Sequence, residues 1–384
     1  MQEVAVIGIG QTKIDEHWDK SLRELAGDAA LAAMIEAQID RVDSIYVGNM
    51  LSEAANMQAH LGSMVSDWIG QRYSEAIKVE SACSSGGSAF RAGYLSVASG
   101  EADVSLVVGV EKMTDSPGGE VTASLATAAD ADWEVDQGVS FVALNALVMK
   151  RYMHEYHWQD IDFAEFSINA HANAVHNPNA RFQKPITESQ FINSPMICAP
   201  INLMDASPIG DGSAAVVLVR SDWIPAGTPK IVVAGSAAAT DTIAIHNRRE
   251  PLWLSAGERA AKNAYAQAGI GPDDIGVFEY HDAFTIMAAL SLEAAGFAER
   301  GKGPTLAKEG MIRVDGKIPV ATRGGLKARG HPVGATGMYQ IVEVIQQLRG
   351  EAGETQVPRN DFGMTLNIGG SGSNITTHIL KRVS

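Results

Sequence analysis

The chain alternates short apolar runs with stretches in which small and apolar residues recur at helical spacing. Residues 4–10 hold only apolar residues and glycine, which predicts a strand buried on both faces. Residues 21–38 carry small and apolar side chains three and four apart, with Ser21 placed to cap a helix. Residues 44–48 predict a second buried strand, 86–98 a helix of small residues, and 104–109 another apolar strand. Such alternation predicts α/β architecture. The same order then returns. A strand at 231–235, a helix at about 257–268, a strand at 276–280, a helix at about 334–348 and a strand at 363–367 repeat the series. An internal duplication of one βαβ-rich unit accounts for this. The halves are read as 1–220 and 230–384, joined at 221–230, where Pro225, Gly227 and Pro229 interrupt regular structure. Between about 113 and 208 the periodicity is weaker, so this stretch reads as an excursion of the first half, forming a lid or a ligand-binding wall. Asp211-Gly212-Ser213-Ala214-Ala215 and the valines after it return the chain to a core strand.

The bulk numbers narrow the function. A chain of 384 residues, 46% hydrophobic and 20% charged, suits an ordinary soluble protein of two domain-sized units. Its net charge of -15 argues against nucleic acid or an anionic membrane as a partner. No apolar run reaches the length of a membrane span, and the first residues lack a secretory signal. With only Cys83 and Cys198, no disulfide framework and no structural metal site are expected, and a reducing, cytoplasmic setting is the default.

The chemistry concentrates in three loops. Ser81-Ala82-Cys83-Ser84-Ser85-Gly86 sets a cysteine at the turn that opens a helix, where unpaired N–H groups favour thiolate over thiol. Free cysteine is also a common small core residue, and turn context alone leaves both readings open. The histidines favour the nucleophile. His331 stands three residues before Gly334 as Cys83 stands three before Gly86, so paired halves would bring both side chains to one axis. There His331 can take the thiol proton. His281-Asp282 follows a buried strand, where α/β proteins place ligand-contacting groups, and His281 can donate to a carbonyl oxygen while Asp282 orients a neighbour. The run from Asn367 through Gly369 and Gly370 to Asn374 offers backbone N–H groups for an oxyanion hole, or forms a tight turn between two core strands. Cys198 reads as packing.

These residues resemble the thiolase family across essentially the whole chain. Ser81-Ala82-Cys83-Ser84-Ser85-Gly86 is similar to its nucleophilic motif. His281-Asp282-Ala283-Phe284 resembles the block that reads His-Asp-Cys-Phe in sterol-carrier-type members, and Gly330-His331-Pro332-Val333-Gly334-Ala335-Thr336-Gly337 resembles the Gly-His-Pro block. The resemblance implies duplicated halves in a five-layered αβαβα fold, a homodimer or dimer of dimers, and coenzyme A thioesters as substrates with no permanently bound cofactor. It implies Cys83 as the acyl carrier, His331 as its activator and His281 as a ligand of the thioester oxygen. In the bacterial and archaeal sterol-carrier-like branch it also implies a small OB-fold, zinc-ribbon partner protein.

One departure bears on the reaction. Most thiolases carry a second cysteine where this chain has Asn367, and sterol-carrier-type members carry it where this chain has Ala283. That cysteine normally moves the proton α to the thioester. Three readings follow: an acetyl-CoA acetyltransferase-type thiolase, an acyltransferase that passes the acyl group from Cys83 to another acceptor such as an activated aromatic ring, and a non-catalytic subunit.

Overall fold

In the computed structural model, which describes residues 2–225 and 228–383, the first apolar run forms strand β1 (Val4–Gln11). Helix α1 (Leu22–Ala37) follows, capped by Ser21 in a reciprocal box with Glu24. Strand β2 (Ser44–Gly48), helices α2 (Ser52–Asn56) and α3 (Leu61–Trp68), strand β3 (Glu75–Val79), helix α4 (Ser85–Ser99) and strand β4 (Val104–Glu111) complete the opening series. Every strand and helix expected there forms.

The excursion is more regular than its sequence pattern suggests. It holds helices α5 (Gly118–Ala126), α6 (Phe141–Tyr156), α7 (Ala164–Ala174) and α8 (Glu188–Ile192), then a ribbon of β5 (Met196–Cys198) and β6 (Ile201–Asn202). The helical period of α6 and α7 is blurred because their buried faces mix Met149, Tyr152 and Phe166 with Asn145, Asn169 and Asn173. The side-chain Nδ2 of each asparagine donates to a backbone carbonyl, of Phe141, Val320 and Ala321 respectively. Cys198 packs half-buried against the same core.

Strand β7 (Gly212–Arg220) leads to the predicted junction, of which residues 226 and 227 lie outside the described residues. Beyond it come β8 (Lys230–Thr240), α9 (Ser255–Ala268), β9 (Val277–Glu279), α10 (Thr285–Ala294), α11 (Gly303–Lys308), α12 (Thr336–Arg349), β10 (Phe362–Gly369) and β11 (Asn374–Val383). Pro332, expected in the first turn of the last helix, instead precedes a short 3₁₀ turn at Val333–Ala335.

Nine strands join in the order β3-β2-β4-β7-β1-β8-β11-β10-β9. Outward from the β1–β8 contact, each side repeats one order: β1, β7, β4, β2 and β8, β11, β10, β9. Strand β3 extends the first series beyond β2, and a single bridge from Phe278 to Val320 does so beside β9. Alternate residues sort the layers. Val104, Leu106 and Val108 face α1, whereas Val107 faces the layer of α4 and α12. Helices α9 and α10 cover the far side of the second series, giving the sequence αβαβα. Among the described residues, no helix is long and apolar enough to cross a membrane.

The middle layer fixes the site. Helices α4 and α12 meet at their first turns so closely that a Cβ on Gly86 would lie 2.9 Å from the carbonyl oxygen of Gly334. A Cβ on Gly337 would lie 2.4 Å from the backbone nitrogen of Gly87. Only glycine permits that approach, and it carries the loops before each helix to one place.

Candidate active site

Cys83 sits two residues before α4, in a turn held by its neighbours. The Ser85 hydroxyl donates to the Ala82 carbonyl (2.6 Å) and accepts from the Ser81 amide (2.9 Å). Ala82 adopts φ 51°, a left-handed conformation that costs a non-glycine residue about 1–2 kcal/mol. Backbone strain next to a candidate nucleophile is a common mark of a site whose geometry is imposed by its surroundings. Cys83 is buried, 3% exposed.

Burial reverses the expectation that the helix terminus makes Cys83 a thiolate. Loss of water pushes the thiol up to about 12, and the Glu111 carboxylate pushes in the same direction. The N–H groups of Cys83 and Gly370 pull downward and do not prevail. The resting group is therefore a neutral thiol that needs a base.

Two bases are at hand. Cys83 Sγ and one ring nitrogen each of His281 and His331 all lie within 4.8 Å of one another, and the two imidazoles meet edge to face at 5.1 Å. His331 Nδ1 bonds Thr336 Oγ1 at 2.7 Å, and its backbone N–H donates to the Pro208 carbonyl. Burial, the neighbouring His281 and the Arg329 guanidinium hold His331 well below the usual histidine range. Burial and Arg329 likewise hold His281 at about 3. Both rings are neutral, and a neutral imidazole can accept a proton. The trio also has the composition of a zinc-ligand set, although no such site was legible from the sequence spacing.

The remaining expected residues fall into distinct places. Asn367 is fully buried in β10, and its Nδ2 donates to His281 Nδ1 at 3.0 Å. Gly369 packs on the cysteine turn, where a Cβ would lie 2.3 Å from the Ser81 carbonyl oxygen. Gly370 directs its N–H toward Cys83, while the Gly369 carbonyl accepts from Gly372 and Ser373. The loop is thus both a tight turn and a donor wall. Asp282 points elsewhere: its Oδ1 accepts from the Leu326 amide (2.8 Å), bracing the glycine-rich loop beside Lys327.

Glu111 and Arg329 escaped the sequence reading. Glu111 is buried at the end of β4 and accepts from the amides of Met50 (2.9 Å), Leu51 (3.1 Å) and Gly334 (3.0 Å). It ties the His331 loop to the first half. A carboxylate ending an apolar strand was the available signal, the one used for His281. Arg329 is fully buried against Glu343, and its charge helps to keep both imidazoles neutral.

A cavity of about 530 Å³ adjoins these loops. Its lining includes Arg181, Phe182, Lys184, Met204, Ser207 and Lys327. It shares walls with the site through the Ser207 amide, which donates to the Ala283 carbonyl (2.8 Å), and through Pro208, bonded to His331.

Comparison with known proteins gives consistent matches. Residues 4–222 match the thiolase N-terminal domain, and residues 237–382 match the thiolase C-terminal domain-like family. An acetyl-CoA acetyltransferase of Methanothermobacter thermautotrophicus is 44% identical over 385 residues, covering 100% of both chains. A solved Ltp2-ChsH2(DUF35) aldolase superposes with a TM-score of 0.86 at 25% identity, over 99% of this chain and 97% of that one. The acetyl-CoA acetyltransferase of Syntrophomonas wolfei shares the fold at a TM-score of 0.75 and 18% identity, with both chains fully covered.

Proposed function

The chain belongs to the thiolase family and is an acyl-CoA C-acyltransferase, and from that premise we propose that the acyl group is carried on Cys83 with His331 as its base. The observation that carries this reading is the meeting of the Cys83 sulfur with the two imidazoles inside 4.8 Å, all three side chains being buried. His331 takes the thiol proton as sulfur attacks the thioester carbonyl. Charge on the carbonyl oxygen falls to donors already aimed at the site, the N–H groups of Cys83 and Gly370 and the ring of His281. The tetrahedral adduct then expels coenzyme A, which leaves with the proton from His331. A neutral thiol and a neutral base suit this sequence, because no buried charge has to be held before substrate arrives.

The test is direct. Incubation with acetyl-CoA, followed by mass mapping of peptides, is expected to find the acetyl group on Cys83. Acetoacetyl-CoA with free coenzyme A is expected to be cleaved. A fully folded enzyme that leaves Cys83 unmodified would remove the acyl-enzyme from the reading. Loading without cleavage would favour transfer to a different acceptor, the reading that the residues Asn367 and Ala283 keep in view.

The coenzyme A moiety is assigned to the 530 Å³ cavity, whose lining includes Lys184 and Arg181, the latter paired with Glu16, and whose Pro208 carbonyl accepts from the His331 amide. Lys184→Glu is expected to raise KM for acyl-CoA about fivefold with kcat unchanged, an effect that shrinks as salt is added. An unchanged KM at low salt would move the ligand elsewhere.

Residues 1–220 and 230–384 are read as the duplicated halves, in a cytoplasmic homodimer or dimer of dimers. Strand β3 supports association, since it closes one edge of the sheet with unpaired backbone and an exposed Ile77. A small OB-fold, zinc-ribbon partner is supported by the solved aldolase whose name includes a DUF35 component.

A further inference from the structure

The resemblance to thiolases expects a cysteine at residue 367, and the chain has an asparagine whose role the acyl-enzyme reading does not use. Asn367 is fully buried, and its Nδ2 lies 3.0 Å from His281 Nδ1. An amide nitrogen can only donate. His281 Nδ1 must then be the bare, accepting nitrogen, and the ring proton resides on Nε2. The Asn367 Oδ1 faces the first turns of α4 and α12, close enough that a Cβ on Gly337 would lie 2.3 Å from it. That oxygen has no hydrogen-bond partner among the described residues, so the bond from Nδ2 to His281 is what holds the amide's orientation.

We propose that Asn367 is a positioning residue that locks His281 as the Nε2–H tautomer, making His281 the donor to the thioester oxygen and leaving His331 as the base of both half-reactions. This rests on the acyl-enzyme reading. The bonds balance with one base. In the first half-reaction the Cys83 S–H proton passes to His331, the sulfur–acyl bond forms, the bond from acyl carbon to coenzyme A sulfur breaks, and coenzyme A leaves as the thiol with that proton. His331 is neutral again. In the second, His331 takes a proton from the α-carbon of a second acyl-CoA, and the enolate oxygen is held by His281 Nε2–H. The α-carbon bonds the acyl carbon, the Cys83 sulfur leaves, and His331 returns the proton to it. No second thiol is required. His281 held at about 3 by burial and Arg329 stays a neutral donor throughout.

The experiment is long-range ¹⁵N–¹H correlation on the full-length enzyme labelled in histidine, with His281 assigned by substitution. A bare Nδ1 and a protonated Nε2 are expected; the reverse in the wild-type enzyme would overturn the proposal, and this arm needs no altered residue at 367. Asn367→Asp presents an acceptor to Nδ1. It is expected to invert the tautomer and to lower kcat for acetoacetyl-CoA cleavage about 100-fold, with KM little changed. A folded aspartate variant with an inverted ring and wild-type kcat would also overturn it. Acetyl loading of wild-type Cys83, measured on the same sample, separates the two claims. Absent loading defeats the acyl-enzyme reading, whereas loading with a protonated Nδ1 defeats only the role of Asn367.

Discussion

Cys83→Ala is expected to lower kcat/KM for thioester cleavage by at least about 10⁴-fold, a loss of roughly 5.5 kcal/mol of transition-state stabilisation. No neighbouring group can stand in. The Ser84 hydroxyl is committed to the Asn367 carbonyl and Thr376, and the Ser85 hydroxyl to the Ala82 carbonyl. Cys198 lies half-buried at the end of the ribbon strand β5. The fold should be indifferent, since the change removes one small buried atom and leaves the turn's hydrogen bonds in place. A shift in Tm of no more than about 2 °C is expected. Steady-state cleavage together with a thermal melt distinguishes loss of the nucleophile from loss of structure. Activity within tenfold of the parent enzyme would mean that the acyl group travels by another route.

Most of the architecture was legible because its signals are local. Val4–Gln11 and Val104–Glu111 are runs of β-branched and small residues, and Ser21 with Glu24 is a capping pair within one turn. The repeated order of elements anticipated the repeated order of strands in the sheet. The excursion resisted reading for a physical reason. Its helices bury asparagines, and those of α7 bond carbonyls far along the chain, of Val320 and Ala321, so their inner faces do not look apolar.

The site was legible as a set of residues and less so as an electrostatic environment. Cys83, His281 and His331 could be named from their turns, and the structure brings them together. The state of the thiol could not be read, because the helix terminus that favours thiolate is local, whereas the burial and the Glu111 charge that oppose it come from tertiary packing. Ala82 gave no warning of its positive φ, since alanine carries no signal for that conformation. Asn367 was read as a substrate contact from its place after a strand. Its partner proves to be His281, 86 residues away in the chain.

His331→Ala is expected to slow acetyl loading of Cys83 by about 10³-fold and to change the shape of its pH dependence. In the parent enzyme the imidazole is held well below the usual histidine range, so it is unprotonated throughout neutral pH. The thiol, pushed up to about 12, stays protonated over the same interval. Their pairing therefore predicts a loading rate nearly flat from about pH 6.5 to 9, because neither group changes state there. Without the imidazole, only the thiolate fraction set by solvent remains. That fraction grows about tenfold per pH unit below the thiol's value, so the variant's rate should climb with unit slope across the same window. Added imidazole should restore part of the rate at neutral pH and flatten the slope. A variant that keeps the parent's flat profile would assign the base to another residue. A parent enzyme that itself climbs with unit slope would mean that the thiol is deprotonated by solvent, and the 4.8 Å cluster would then hold the imidazoles for some other purpose.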